Sequence, residues 1–113
     1  TISLGSVIMA NISKRDVNRP PTHPGAILRE DVLPTLAITV SEAAEGLGIS
    51  RQTLHRILAE KLAVSPSMAL RLGKFCGNGA SIWLAMQRSY DLWHAERELS
   101  KELARIKTRK VAA

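Results

Sequence analysis

TVSEAAEGLGISRQTLHRILAEK, residues Thr39–Lys61, is the stretch whose reading decides the fold. It divides into two short helices joined by a tight turn. The first is expected from about Val40 to Leu47, with Thr39 as its N-cap. Thr39 and Glu42 stand at the S/T-x-x-E spacing of a capping box, in which each side chain satisfies one otherwise orphaned amide. Gly48 falls where the chain must leave that helix, and glycine tolerates a left-handed exit. Ile49 follows as an apolar plug, and Ser50 can cap a second helix from about Arg51 to Glu60. Ala43, Ala44 and Leu47 face inward from the first helix. Ile49, Leu54, Ile57 and Leu58 do so around and along the second. An alanine, a glycine four residues on, and apolar residues at fixed offsets from the turn form the helix-turn-helix pattern. The plainer reading, an ordinary αα-hairpin, leaves the coincidence of both caps with these apolar positions without a cause.

Upstream, Arg19-Pro20-Pro21-Thr22-His23-Pro24-Gly25 is stiff and extended, and Pro24 suits the first turn of a helix. That helix is expected from about Gly25 to Leu33, with Ile27, Leu28 and Val32 as its apolar stripe and Pro34 as its end. Residues 1–19 have no clear period. They are expected to form a weakly ordered N-terminal arm, helical at most around Ser13 to Val17, with a partner-binding segment as the alternative. The sequence does not open on Met, and Met9 offers a natural start that would leave residues 1–8 outside the native protein.

Downstream, Leu62-Ala63-Val64 is a loop. Ser65 and Pro66 begin another helix as N-cap and N1. Met68, Ala69, Leu72 and Phe75 are its core candidates, Leu70 and Cys76 contribute partly, and Gly77-Asn78-Gly79 breaks it. A last helix is expected from Ala80 to about Ile106. Trp83, Met86, Tyr90 and Trp93 form one stripe at 3-4-3 spacing, which can close the core and offer its surplus to a second helix. Ile82, Met86, Tyr90, Trp93 and Leu99 are therefore the expected contacts with a second copy of the chain. The fold class is all-α: one helix-turn-helix domain over residues 20–99, preceded by the arm 1–19 and followed by a basic helical tail, 100–113.

A chain of 113 residues with 45 % hydrophobic content has room for one domain with a real core. No apolar run approaches the roughly 20 residues of a membrane span, and residues 3–10 are too short and weakly flanked for a secretory signal, so no membrane association is expected. Cys76 is the single cysteine, which excludes an internal disulfide and fits a cytoplasmic, reducing setting. His23, His55 and His94 lie on separate segments without metal-ligand spacing, so no metal or other cofactor is expected. There is no Gly-rich phosphate loop, no HExxH and no nucleophile elbow, and an enzyme is not expected. The net charge is +6, but residues 40–61 sum to zero while residues 101–113 carry +4. The helix-turn-helix itself is neutral.

In such a motif the second helix enters the DNA major groove with its N-terminal residues on the base edges. Arg51, Gln52, Thr53 and His55 are the candidate base contacts. Arg51 can take guanine O6 and N7 in a bidentate way, Gln52 can take adenine N6 and N7, and Thr53 offers a methyl to thymine. Candidate phosphate contacts are the amides at Thr39 and Val40, together with Arg56, Lys61 and Ser67. Arg56 alternatively pairs with Glu60. One module touches few base pairs, so specific binding implies a homodimer on palindromic double-stranded DNA, with half-sites about 10 bp apart.

Two flanking blocks add a resemblance. His23-Pro24-Gly25-Ala26-Ile27-Leu28-Arg29-Glu30-Asp31 and Ser81-Ile82-Trp83-Leu84-Ala85-Met86-Gln87-Arg88-Ser89-Tyr90-Asp91-Leu92, with its W-L-x-x-Q-x-x-Y-D-L core, resemble the HigA-type antitoxins, a branch of the Xre (λ-repressor-like) helix-turn-helix proteins. The resemblance runs from about Thr22 to Glu98. It implies a five-helix fold, a homodimer in a bacterial cytoplasm, repression of the protein's own operon, and neutralisation of a HigB toxin, similar to RelE, that cleaves mRNA. Many relatives carry Gln where Val40 stands, and a capping Ser or Thr where Asn78-Gly79 stands. A regulator without a toxin, or a toxin-binding module whose helix-turn-helix is only scaffold, are the alternatives.

Overall fold

The N-caps expected from the sequence, Thr39, Ser50 and Ser65, each start a helix. A computed structural model describes residues 3–13 and 19–112, and every regular element among them is helical. Helix α1 is Leu4–Ser13. Helix α2 runs over residues 24–36 in three continuous pieces, Pro24–Ile27, the π-helical Leu28–Val32, and Leu33–Leu36. Helices α3 (Val40–Leu47) and α4 (Arg51–Leu58) form the helix-turn-helix. Helices α5 (Pro66–Cys76), α6 (Ala80–Glu98) and α7 (Ser100–Arg105) complete the chain. The five-helix expectation corresponds to α2–α6, with α1 and α7 added at the ends.

Both caps of the central motif form. Thr39 Oγ1 accepts from the Glu42 amide at 3.1 Å, and Glu42 Oε1 accepts from the Thr39 amide at 3.2 Å. Gly48 takes the left-handed conformation, φ 70°, as the exit from α3 requires. Ser50 Oγ accepts from the Thr53 amide at 3.0 Å and opens α4. The seven inward positions read from the sequence are buried or, for Ile49, half-buried against the core.

Two expectations about helix ends are corrected. Pro34 does not end α2. The π-helical turn lets the Leu33 amide reach back five residues to the Leu28 carbonyl. This wider turn absorbs a ring that would crowd the carbonyl of residue 30 in a regular α-helix, and it needs no amide from Pro34. The helix therefore continues to Leu36, and Ala37 makes the exit in a left-handed conformation, φ 53°. Within the stretch expected to be an N-terminal arm, α1 buries Ile8 completely in the core cluster. The helical stretch proposed around Ser13 to Val17 falls, after Ser13, outside the described residues. The last helix does not run unbroken to Ile106. It breaks at Leu99 (φ −99°, ψ 8°), resumes as α7, and leaves helical geometry at Ile106, so the tail is helical only through Arg105.

The core lies where α2, the helix-turn-helix, α5 and α6 meet. Trp83 at its centre is fully buried, and its indole Nε1 donates to Asn78 Oδ1 at 2.9 Å. Two glycines permit close crossings. A side-chain carbon on Gly73 would collide with the backbone of Gly79 and Ala80, where α5 meets the start of α6. One on Gly25 would collide with the carbonyl of Ile57 in α4.

Truncating Trp83 to alanine removes the largest buried side chain and orphans the Asn78 acceptor. Trp83→Ala is expected to lower unfolding free energy by about 3–5 kcal/mol in urea titrations. Gly25→Ala is expected to cost at least about 1–3 kcal/mol, because the obstacle is backbone and cannot rotate away. A wild-type urea midpoint for either variant would contradict the packing described.

Candidate nucleic-acid interface

Helix α4 presents two faces. Leu54, Ile57 and Leu58 are buried, while Arg51, Gln52, His55 and Arg56 are exposed on the other side. Among the described residues, none of these four side chains has an ion-pair or hydrogen-bond partner, so their polar groups are free for an incoming surface. Thr53 is half-buried, and its hydroxyl lies 2.8 Å from Ser50 Oγ. The Arg56–Glu60 pair considered from the sequence does not form. Glu60 Oε2 lies 3.4 Å from Arg29 instead.

The candidate phosphate contacts flank this face. The capping box occupies the Thr39 hydroxyl and satisfies the amides of Thr39 and Glu42, so Thr39 keeps no free donor of its own. The amides of Val40 and Ser41, at N1 and N2, have no intrahelical acceptor and remain available. Lys61 and Ser67 are both exposed, Lys61 just past α4 and Ser67 in the first turn of α5.

The turn and the C-terminal end of the helix-turn-helix are held by side chains whose role the sequence did not announce. Arg29 Nη1 donates to the Leu58 carbonyl at 2.6 Å, satisfying a C-terminal carbonyl of α4. Its contact with Glu60 is longer and exposed, and such pairs contribute at most about 1 kcal/mol, so the carbonyl bond is the effective one. Arg71 Nη1 donates to the carbonyls of Leu47 and Gly48, at 2.8 and 3.3 Å, and closes the C-terminus of α3. Gln87, buried in α6, accepts from the Val64 amide at 2.8 Å and donates to Asp91 Oδ1 at 2.9 Å. It anchors the loop that follows α4.

No family profile matches the chain. Individual proteins do. The virulence-associated protein I of Dichelobacter nodosus is 37 % identical over 79 residues, covering 70 % of this chain and 73 % of that protein. The solved structure of the Pseudomonas aeruginosa antitoxin HigA with the higBA promoter superposes with a TM-score of 0.75 at 32 % identity, over 80 % of this chain and 99 % of that one. The antitoxin GraA in complex with its operator superposes with a TM-score of 0.75 at 34 % identity, over 87 % and 99 %.

This chain belongs to the HigA-type antitoxins of the Xre helix-turn-helix family.

The blocks that resemble HigA-type proteins now have physical roles in this chain. His23 is the N-cap of α2, with Nδ1 accepting from the Gly25 amide at 2.9 Å, and its ring meets Tyr90 edge-on at 4.9 Å. Pro24 fills N1, and Gly25 allows contact with α4. Trp83, Gln87, Tyr90 and Asp91 each hold a neighbour, as described above. None of these residues belongs to the exposed face of α4.

The residues expected to meet a second copy are placed unevenly. Ile82 and Met86 are partly buried against the chain's own core. Tyr90 packs on His23 and His94. Trp93 is covered by Arg97, whose guanidinium carbon lies 3.4 Å from the ring centroid. Only Leu99 of this set is openly exposed, at 47 %. Leu92, outside the expected set, is 54 % exposed beside an open groove of about 410 Å³ lined also by Val64, Leu84, Gln87 and Ala95. Its position off the aromatic stripe concealed it.

Among the described residues, no helix is long and apolar enough to cross a membrane, and no group of three His, Cys, Asp or Glu side chains is arranged to hold a metal. Cys76 is buried, and burial pushes its thiol up to about 11, so it stays protonated at neutral pH and is no nucleophile.

Burial holds the His23 pKa below its ordinary 6.5; Glu60 and Asp91 oppose the shift, and Arg29 adds to it. With the folded value lowered, the unfolded chain binds more protons as pH falls below 6.5, so stability is complete above that value and declines beneath it. Protonation of Nδ1 also removes the acceptor for the Gly25 amide. Urea midpoints are therefore expected to fall between neutral pH and the mildly acidic range, and to fall less in His23→Asn, whose carbonyl can keep the cap without titrating. An equal decline in both proteins would remove His23 as the cause.

Proposed function

We infer that this protein is an operator-binding antitoxin that represses its own operon and neutralises a HigB-like, mRNA-cleaving toxin by direct contact. The observation that carries the DNA half is the face of α4: Arg51, Gln52 and His55 stand exposed and unpartnered on a helix whose other face and C-terminus are held tightly. The similar HigA and GraA structures contain a promoter and an operator, respectively. Base readout falls to Arg51, Gln52, Thr53 and His55; Thr53 Oγ1 accepts from Ser50 Oγ and keeps its own hydroxyl proton and its methyl for the groove. Phosphates are met by the amides of Val40 and Ser41 and by Arg56, Lys61 and Ser67. A two-fold dimer places two such helices on an inverted repeat, with Leu92 and Leu99 on the contacting surface. The toxin half rests on family membership, and the bacterial cytoplasm is where both partners would act.

Arg51→Ala is the direct test. Loss of a bidentate guanine contact is expected to weaken operator binding by about 1–3 kcal/mol and to relax specificity at one base position, with the unfolding midpoint unchanged. Titration of the gene's own promoter against a scrambled duplex measures both. Unaltered operator affinity would show that α4 does not read the groove through Arg51. Co-purification with the product of the adjacent reading frame tests the toxin half separately.

A further inference from the structure

The helix-turn-helix that would face DNA has no net charge over residues 40–61, yet the protein carries +6. Phosphate neutralisation is the main sequence-independent source of DNA affinity, so a neutral reading head needs cations from elsewhere. Four of the six excess charges lie in residues 101–113. We propose that this C-terminal segment is a second DNA-binding element, one that contacts the phosphodiester backbone and reads no sequence. The proposal rests on the operator-binding reading above and deepens it.

The placement of the segment supports this role. Every residue from Glu96 to Ala112 is exposed, so the end of α6, α7 and the following strand of chain stand clear of the core. Lys101, Arg105, Lys107, Arg109 and Lys110 have no ion pair among the described residues, and Glu102 is the only acidic residue within 101–113. Nothing in the fold depends on them. At Ile106 the backbone turns extended, φ −85° and ψ 117°. Residues 106–112 can then span up to about 23 Å at roughly 3.3 Å per residue. A dimer would carry two such segments. Cations on a flexible backbone make point contacts with phosphates and impose no base preference.

The test uses the full-length protein with Lys107→Gln, Arg109→Gln and Lys110→Gln combined, because these three lie past the last helical turn and leave α7 untouched. Binding is titrated on the operator duplex and on a scrambled duplex of equal length across a salt series. The slope of log Kobs against log salt is expected to become shallower by about 2–5, since each lost phosphate contact removes about 0.9. Affinity for both duplexes should fall together, with the ratio between them preserved. Arg51→Ala should do the reverse, collapsing the ratio while largely retaining the slope. If the triple variant keeps the parental slope while still preferring its operator, the tail proposal is overturned and the operator reading survives. If the parent protein shows no operator preference but its slope depends on the tail, the operator reading falls and the tail's role stands.

Discussion

The rest of the structure depends on a contact between two backbones. Helix α2 begins so close to α4 that the Ile57 carbonyl occupies the space where a side chain on residue 25 would be. No flexible group lies between them, so the approach fixes α4 with the stiffness of main chain. His23 and Pro24 set the start of α2 immediately before this point, and Arg29 reaches from the same helix to the Leu58 carbonyl at the end of α4. The C-terminal half of α4 is thus held at two points by α2, the Gly25–Ile57 approach and the Arg29–Leu58 bond. In its N-terminal half Leu54 is buried while Arg51 and Gln52 are exposed.

A second grip comes from α6. A buried hydrogen bond adds little to stability by itself, but a buried amide without a partner costs about 1–3 kcal/mol. Gln87 therefore matters chiefly because the Val64 amide has been taken out of water and has no helical neighbour to accept from it. Asp91 holds the carboxamide so that its oxygen faces Val64. The indole of Trp83 does similar service one turn earlier, joining the interior to the Asn78 turn. Asn78 thus acts as an acceptor for the core, while Gly79 starts α6 without any side-chain cap.

The sequence made the central motif legible to within a residue or two, because caps, a left-handed glycine and apolar periodicity all act locally. What it concealed was non-local. Pro34 reads as a helix end by local rules, and only the π-helical turn in its actual surroundings lets the helix pass through it. Residues 1–19 lack periodicity, yet Ile8, with Leu4 partly buried beside it, packs α1 against the core. Arg29, Arg71 and Gln87 look like ordinary surface or helix residues until the carbonyls and amide they satisfy are placed, 23 to 29 positions away in sequence. The aromatic stripe of α6 was visible, but its division between the chain's own interior and an open surface was not. Trp93 with Arg97 and Tyr90 with His94 are i,i+4 pairs along α6, but the contact of Tyr90 with His23 joins segments that no spacing rule connects.

One feature of α4 has an evolutionary side. The side chains that stiffen the motif and those that would read DNA are disjoint sets: Arg51, Gln52, His55 and Arg56 take no part in any internal bond among the described residues. Each can be exchanged without disturbing the scaffold, so duplicated copies of such a gene are free to drift toward different operators while every copy still folds. Paralogues in one genome can then become insulated from one another by a few surface substitutions, and the blocks 23–31 and 81–92 that carry the family resemblance need not change at all.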